Sequence, residues 1–225
     1  MKLKSVAAAV CLLASGLASA TTTLNAGSYS VTYNETTPGF GLISSWFWSG
    51  SNVGFEWSVD PSVNVTSLGG SLATATFAIP DFTITANPGY TLSGALTGSL
   101  GNIVYFLNGL GATASLTATG TISVDGGPGV TLPSAPLAQT VITPSFGYFA
   151  GSTAAPIGAF TSFAVTGASI TLSASGGSFA SIGAQPQNKL KFEFTANPVP
   201  EPETYALMLA GLGLVGMMAR RRQMR

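Results

Sequence analysis

The feature that most constrains the fold is a strict alternation of residue types over positions 112–124. Every second residue there is alanine, leucine, glycine, isoleucine or valine, and every residue between them is threonine or serine. Successive side chains of a β-strand point to opposite faces, so this period of two predicts one long strand with a buried and a solvated face. Gly120 is a candidate bulge or bend within it.

The same alternation recurs along the chain, which predicts an all-β body. It is clearest at 53–59, where Phe55 and Trp57 are expected to point inward, and at 168–175 and 189–195. Further candidate strands are 28–33, 72–79, 82–85, 90–97 and 103–107.

Turn signals separate these candidate strands. Clusters of glycine, proline, asparagine and aspartate supply the backbone angles that tight turns need. Short strands at regular spacing with such turns predict a single antiparallel β-sandwich or jelly-roll-like domain over 21–198. The segment 126–156 is rich in proline, glycine, alanine and threonine and is predicted to be a long connection.

Residues 1–20 have the three parts of a secretory signal peptide. Lys2 and Lys4 give a positive start, an apolar run follows, and Ala18 and Ala20 form a small-x-small cleavage site. We therefore expect export through the inner membrane and a mature chain that begins at Thr21. The single cysteine of the chain lies within this segment, so the mature protein is expected to lack disulfides.

The C-terminal end also has three parts. An apolar run from Thr204 to Ala219 is preceded by Val199, Pro200, Glu201 and Pro202 and followed by Arg220, Arg221 and Arg222. As a helix the run is about 24 Å long, somewhat less than the roughly 30 Å hydrocarbon core, and long arginine side chains can extend its reach. These features predict one C-terminal transmembrane helix with its arginines in the cytoplasm.

This tripartite tail, over 199–225, resembles the PEP-CTERM sorting signal of Gram-negative bacteria. The resemblance rests on Val199-Pro200-Glu201-Pro202, the apolar stretch and the arginine cluster. It implies that an exosortase recognises the tail, cuts near Pro-Glu-Pro, and sends the protein to the cell surface or the exterior. Proteins with such tails usually accompany exopolysaccharide production and biofilm formation. The same tail occurs on some ice-binding proteins, so it implies an address and no activity.

The composition of the body argues against most chemistry. Charged residues make up 7% of the chain, and residues 21–198 hold six acids, two lysines and no histidine, cysteine or arginine. This excludes the basic stripe of a nucleic-acid-binding protein, a Ser-His-Asp triad, and a zinc site of imidazole or thiolate ligands. The acids are scattered, and there is no Asp-rich calcium loop. We expect no enzyme activity, no metal and no cofactor.

Two features of the body, a tryptophan cluster and a threonine ladder, are open to a functional interpretation. Trp46, Trp48 and Trp57 lie within twelve residues, where they form either part of the core or a platform for sugar rings. Thr117, Thr119 and Thr121 share one strand face, which suits an ice-binding surface or an ordinary solvated strand.

The sequence thus favours an exported, exosortase-processed surface or matrix protein with a structural or adhesive role among exopolysaccharides. The alternative is a carbohydrate-binding module that uses the tryptophans, and ice binding is a minor alternative. The expected partners are an exosortase, extracellular polysaccharide and, transiently, the inner membrane; nucleic acid is excluded.

Overall fold

A computed structural model describes residues 21–35, 37–131, 137–141, 145–200 and 202–223. The predicted signal peptide, with Ala18 and Ala20, lies outside the described residues, and so does Glu201.

The described residues form thirteen β-strands and one α-helix. In chain order the strands are β1 (Thr21–Asn25), β2 (Tyr29–Asn34), β3 (Phe40–Ser49), β4 (Asn52–Val59), β5 (Asn64–Ala78), β6 (Phe82–Ala86), β7 (Tyr90–Asn108), β8 (Ala112–Val124), β9 (Val130–Thr131), β10 (Leu137–Val141), β11 (Ser145–Phe160), β12 (Ser162–Gly183) and β13 (Lys189–Pro198), and the helix is α1 (Pro202–Gln223). Neighbouring strands pair antiparallel, for example β1 with β2 and β12 with β5. The predicted antiparallel all-β body is therefore confirmed.

The two longest strands, β12 and β7, connect the rest of the sheet. The main hydrogen-bonded path runs β1-β2-β6-β12-β7-β13-β4-β3, with β5 and β8 also on β12 and β11 also on β7. Strand β12 pairs with β8 over 163–175 and with β7 over 179–183. Between these two pairings Gly176 and Gly177 have positive φ, and a Cβ on Gly176 would lie 2.0 Å from the carbonyl oxygen of Gly111. Glycine is needed there because the strand bends as it changes partners.

Aromatic side chains fill the interior between strands that are not hydrogen-bonded neighbours. Tyr29 of β2 meets Phe194 of β13 with ring centroids 4.8 Å apart, and Phe82 of β6 meets Phe192 of β13 at 4.7 Å. Trp57 of β4 lies 5.3 Å from Phe82. The layer with β2 and β6 therefore packs face to face on the layer with β4 and β13. These rings, all buried, form the centre of the core.

The structure agrees closely with the strand predicted at 112–124, which is β8. Phe55 and Trp57 point inward, as their alternation predicts. The irregularity expected at Gly120 lies on its partner strand: the register of β12 against β8 shifts between Thr166 and Ser169, directly opposite Gly120. A Cβ on Gly120 would come within 3.1 Å of Ala168, so the glycine makes room for this bulge.

The prediction that 126–156 is a long connection is wrong. The segment includes β9, β10 and most of β11. Strand β11 tolerates proline because, among the described residues, it pairs only with β7 and so has a free edge. Its Pro156 stands opposite Ala95.

Residues 204–222 of the C-terminal helix are exposed, and Arg220, Arg221 and Arg222 occupy its last turn. Within the described residues no helix combines the length and apolarity required to cross a bilayer, which contradicts the predicted transmembrane helix. The physical reason is composition: Thr204 and Tyr205 begin the run, three glycines interrupt it and the arginines end it, so the apolar part is short.

Candidate functional site

The sorting tail begins where the last strand of the body ends. Pro198 pairs with Tyr90 in the final register position of β13. The backbone N–H of Val199 then donates a 2.8 Å hydrogen bond to the carbonyl oxygen of Gly89. Pro200 has no N–H to continue the ladder, and α1 begins at Pro202, a residue suited to the first turn of a helix. Val199 and Pro200 are exposed, so this part of the motif is accessible beside a completed sheet.

The positive end of the tail has favourable electrostatics. Arg220, Arg221 and Arg222 are exposed at the C-terminus of α1, where the helix dipole is negative. The fold therefore places the segment that precedes α1, with Val199 and Pro200, and the three arginines at opposite ends of the helix. At 1.5 Å per residue, a helix from 202 to 220 separates them by about 27 Å.

The three tryptophans do not form one platform. Trp57 is fully buried, with its ring against Phe55, Tyr33 and Phe82. Because it has no exposed face, it cannot stack on a sugar, and its place in the predicted sugar-binding set is corrected to core. Its indole N–H has no hydrogen-bond acceptor among the described residues.

Trp46 and Trp48 share a face of β3, as expected for alternate residues of a strand. Trp46 is half-buried, with its ring 5.9 Å from that of Tyr29 and 6.1 Å from that of Phe55. Trp48 is 79% exposed near the β3–β4 turn. Only Trp48 offers a largely open ring, and Trp46 covers the margin of the core.

Four of the eight charged side chains of the body lie on the outer face of β4 and β13. Lys191 forms an ion pair with Glu193 at 3.3 Å, and its ammonium group lies 3.8 Å from the centre of the Phe47 ring. Glu56 accepts a 2.5 Å hydrogen bond from Ser45. Each of these charged groups therefore has a partner. The Phe47 ring also lies against Gly54, where a Cβ would be 2.2 Å from Phe47 Cζ. The contact between Lys191 and Phe47 links β13 to β3 across the intervening strand β4.

A hydroxyl array covers one face of β5, β12 and β8. It is formed by Thr74, Thr76, Thr113, Ser115, Thr117, Thr119, Ser169, Thr171, Ser173 and Ser175, which are in register on adjacent strands. Thr76 pairs with Thr171 at 2.9 Å, and Thr119 pairs with Ser169 at 3.2 Å. Thr121 lies beyond the β12 bulge, opposite Thr166. Cross-strand hydroxyl pairs of this kind stabilise a sheet, and ice binding by the array stays a prediction.

The acidic residues nearest to turns serve those turns. Asp125 has a positive φ of 48° and accepts hydrogen bonds from Thr161 N, Thr161 Oγ1 and Ser162 N at 2.7–2.8 Å. The hydroxyl and N–H of Thr161 lower the pKa of Asp125. Asp60 accepts a 2.7 Å hydrogen bond from the N–H of Ser62, and hydrogen bonding by Ser62 lowers the pKa of Asp60. Within the described part of the chain, no three acidic residues converge on a metal site.

A cluster of four aromatic side chains on β7, β11 and β12, three of them exposed, was not predicted from the sequence. Phe106, Phe146, Tyr148 and Phe179 form this aromatic strip. Phe146 stands opposite Phe106 in register. The ring centroids of Phe106 and Phe179 are 5.6 Å apart, and those of Phe146 and Tyr148 are 5.2 Å apart. Phe146 and Tyr148 belong to the segment predicted as a connection, and the alternation of 145–149 was the signal that could have placed them on one strand face.

Comparison with known proteins supports the interpretation of the tail. Residues 198–223 match the family model described as the PEP-CTERM protein-sorting motif. The predicted resemblance is confirmed, and since this motif is the recognition signal for an exosortase, exosortase processing and export follow from it. No curated protein matches the chain.

Similarities to solved structures are distant. The enzymatically active domain of bacteriophage CBA120 tailspike protein 4 is 15% identical, with 80% of this chain and 19% of that chain covered and a TM-score of 0.22. TmCBM61 in complex with β-1,4-galactotriose is 11% identical, with 70% and 90% covered and a TM-score of 0.20. The infectious bursal disease virus Gx strain structure is 13% identical, with 79% and 52% covered and a TM-score of 0.23. The chain thus spans 19% of the tailspike structure and 52% of the viral one, and at these TM-scores none of the three carries an argument about function.

Proposed function

We propose that this PEP-CTERM domain-containing protein is a structural or adhesive component of an extracellular polysaccharide matrix or biofilm. In this proposal the chain is exported, cut by an exosortase near Pro200 and Pro202, and left at the cell surface or in the exterior. The observation that carries the proposal is the sorting motif, which begins at the end of the last strand and whose described side chains contribute nothing to the core.

The position of the motif supports processing without damage to the body. The residues of the buried core lie between Tyr29 and Ala196, before the motif begins. A cut after Val199 would remove α1 and keep every strand of the described body. The single backbone hydrogen bond from Val199 to Gly89 would remain on the body side of such a cut.

The proposed body is a two-layered β-sandwich without enzyme activity. Ring contacts between β2 or β6 and β4 or β13 support the sandwich, since these strands face each other without pairing. The absence of histidine, cysteine and arginine from 21–198 supports a non-catalytic role. Glu56 is held by Ser45 and Asp125 by Thr161, so each has a structural partner.

A carbohydrate-binding module is the second candidate. The observation in its favour is the 79% exposure of Trp48, a ring that can stack on a sugar. Trp46 could add only part of one face because it packs on Tyr29 and Phe55.

The experiment that tests the proposed function compares two forms of the full chain in cells that have an exosortase and make exopolysaccharide. One form is the natural chain, and the other carries Pro200→Ala, Glu201→Ala and Pro202→Ala together. We expect the natural chain in the washed extracellular matrix fraction and the variant in the cell fraction. Equal distribution of both forms, or a natural chain found free in the medium without matrix association, would contradict the proposal.

A further inference from the structure

We propose that the aromatic strip is the surface on which the body binds an uncharged polysaccharide chain. This inference rests on the proposed function and specifies the chemical class of the partner. It assigns binding to Phe106, Phe146, Tyr148 and Phe179 in place of the tryptophans singled out by the sequence.

The rings of the aromatic strip are both open and held in place. Phe106 is 41% exposed, Phe146 is 57% exposed and Tyr148 is 55% exposed. Edge-to-face contacts fix their orientation, with interplanar angles of 65° between Phe106 and Phe179 and 81° between Phe146 and Tyr148. Exposed aromatic residues in one cluster are unusual on a soluble surface and indicate a binding surface. Because the rings are already ordered, binding a ligand costs little side-chain conformational entropy.

The shape of the strip fits an extended chain. Its rings come from three adjacent strands, β12, β7 and β11, which are spaced about 4.8 Å apart. Successive rings therefore follow a line across the strands. An extended polysaccharide presents sugar faces at intervals along a line, and the C–H groups of those faces pack on the negative face of an aromatic ring.

The electrostatics of the strip select an uncharged partner. Strands β7, β11 and β12 contain no aspartate, glutamate, lysine or arginine. An anionic polymer would find no cation there to offset the cost of desolvating its charges. Hydroxyl and amide groups do lie beside the rings, because Ser181 stands opposite Phe106 and Asn108 stands opposite Phe179 in the register of β12 against β7. Such groups can exchange hydrogen bonds with sugar hydroxyls.

The strip lies far from the attachment of the tail. Tyr90, at the first residue of β7, pairs with Pro198 next to the sorting motif, whereas Phe106 is near the other end of the same strand. Sixteen residues of strand separate them, a path of up to about 53 Å. A body held at its tail would therefore present the strip away from the point of attachment.

The strip also adjoins the edge of β11 that no other strand of the described residues pairs with. A second copy of this chain is therefore the competing occupant, and the experiment must distinguish it from a polysaccharide. The lack of acidic and basic side chains on these strands agrees with either occupant. The rings, however, face out of the sheet, whereas edge pairing uses backbone groups in its plane. This direction favours a ligand that lies on the face.

The test is affinity electrophoresis of the full chain, purified in a polyoxyethylene detergent that carries no sugar. The gels contain the exopolysaccharide of the source organism, hydroxyethyl cellulose or β-1,4-galactan, with alginate as an anionic comparator. The variants are Phe146→Ala, Tyr148→Ala and Tyr148→Phe, and the matched control is Trp48→Ala, an exposed aromatic residue outside the strip. Urea denaturation followed by tryptophan fluorescence, to which buried Trp57 contributes, reports whether each variant is folded.

We expect at least one uncharged polysaccharide to retard the natural chain, and affinity to fall by about tenfold with Phe146→Ala or Tyr148→Ala. Tyr148→Phe and Trp48→Ala should bind as the natural chain does, because the first keeps the ring and the second lies elsewhere. Loss of binding with Trp48→Ala alone, retardation by no uncharged polymer, or binding that all variants retain would overturn the inference. A natural chain that is dimeric by sedimentation and made monomeric by Phe146→Ala would overturn it in favour of a second copy. Each of these results leaves tail processing and export untouched, since those are measured in cells.

Discussion

The hydroxyl of Tyr29 donates a 2.8 Å hydrogen bond to the carbonyl oxygen of Gly54, and so joins β2 to β4 across the interior of the body. The two strands are not neighbours in the sheet. The Tyr29 ring also packs edge-on against Phe194 and Trp46. With a third ring contact to Phe55 at 6.5 Å, this residue connects the two layers by one polar and three aromatic contacts.

The ionisation of Tyr29 should make the body sensitive to alkali. Burial raises the pKa of the Tyr29 phenol above its ordinary value of about 10. Its contribution to stability is complete below the unfolded-state pKa and is lost as the pH rises toward the folded-state pKa, because the unfolded chain releases the proton first. Urea denaturation should show that Tyr29→Phe lowers the free energy of unfolding at pH 7 by about 1 kcal/mol and reduces its decline above about pH 10. Parallel pH curves for the two proteins would refute this role.

Gly54 is required because both strands that flank β4 pack closely against it. A Cβ at this position would lie 2.1 Å from the carbonyl oxygen of Phe192 and 2.2 Å from Phe47 Cζ. We expect Gly54→Ala to lower the free energy of unfolding by about 3 kcal/mol, since backbone of β13 must move. Gly41→Ala in β3 is the control, because a Cβ there meets no atom within 4 Å. Chemical denaturation should separate the two, and equal stability of both variants would count against this account.

The tryptophans should differ sharply in their effect on stability. Trp57 is fully buried and Trp48 is 79% exposed. We expect Trp57→Ala to lower the free energy of unfolding by about 3–5 kcal/mol. Trp48→Ala should change it by no more than about 0.5 kcal/mol. Thermal unfolding followed by circular dichroism measures both. Comparable losses in the two variants would mean that the Trp48 side is also part of the packed interior.

The hydrogen bonds accepted by Asp125 should contribute to acid sensitivity. Its pKa is lowered chiefly by Thr161, so the contribution is present above the unfolded-state pKa of about 3.9 and is lost as the pH falls through the folded-state value. Asp125→Ala should cost about 1 kcal/mol at pH 7, because two backbone N–H groups lose their acceptor and the positive φ disfavours alanine. Asp125→Asn keeps an acceptor and tolerates that φ, so it should lose less. An Asn variant as unstable as the Ala variant at pH 7 would contradict this explanation.

Sequence patterns predicted the all-β class because local alternation reports burial directly. Strand β8 matches its predicted bounds, and the inward direction of Phe55 and Trp57 follows from the same period. Strand lengths were harder to predict from the sequence. The candidates 90–97 and 103–107 form one strand, β7, because pairing with β11 and β13 carries the backbone through the glycine-containing segment between them.

Long-range pairing explains what the sequence analysis missed. Strand β11 contains small residues and Pro156, which resemble a loop when only their composition is considered. It forms because β7 offers a continuous partner edge, a fact that no local window contains. The aromatic strip depends on the same pairing, since it brings Phe146 beside Phe106, forty residues away in the chain. The tail, by contrast, was predictable because its three parts are contiguous.

The measurement that tests the central claim most directly is intact-mass spectrometry of the protein recovered from outside cells with and without an active exosortase. The account predicts that, with the exosortase, the polypeptide ends near Val199 or Pro200 and lacks α1, whether or not a further group is attached to that end. Without the exosortase, that truncated form should be missing. A full-length C-terminus at Arg225 on the exported protein, or the same truncated end in both strains, would contradict it.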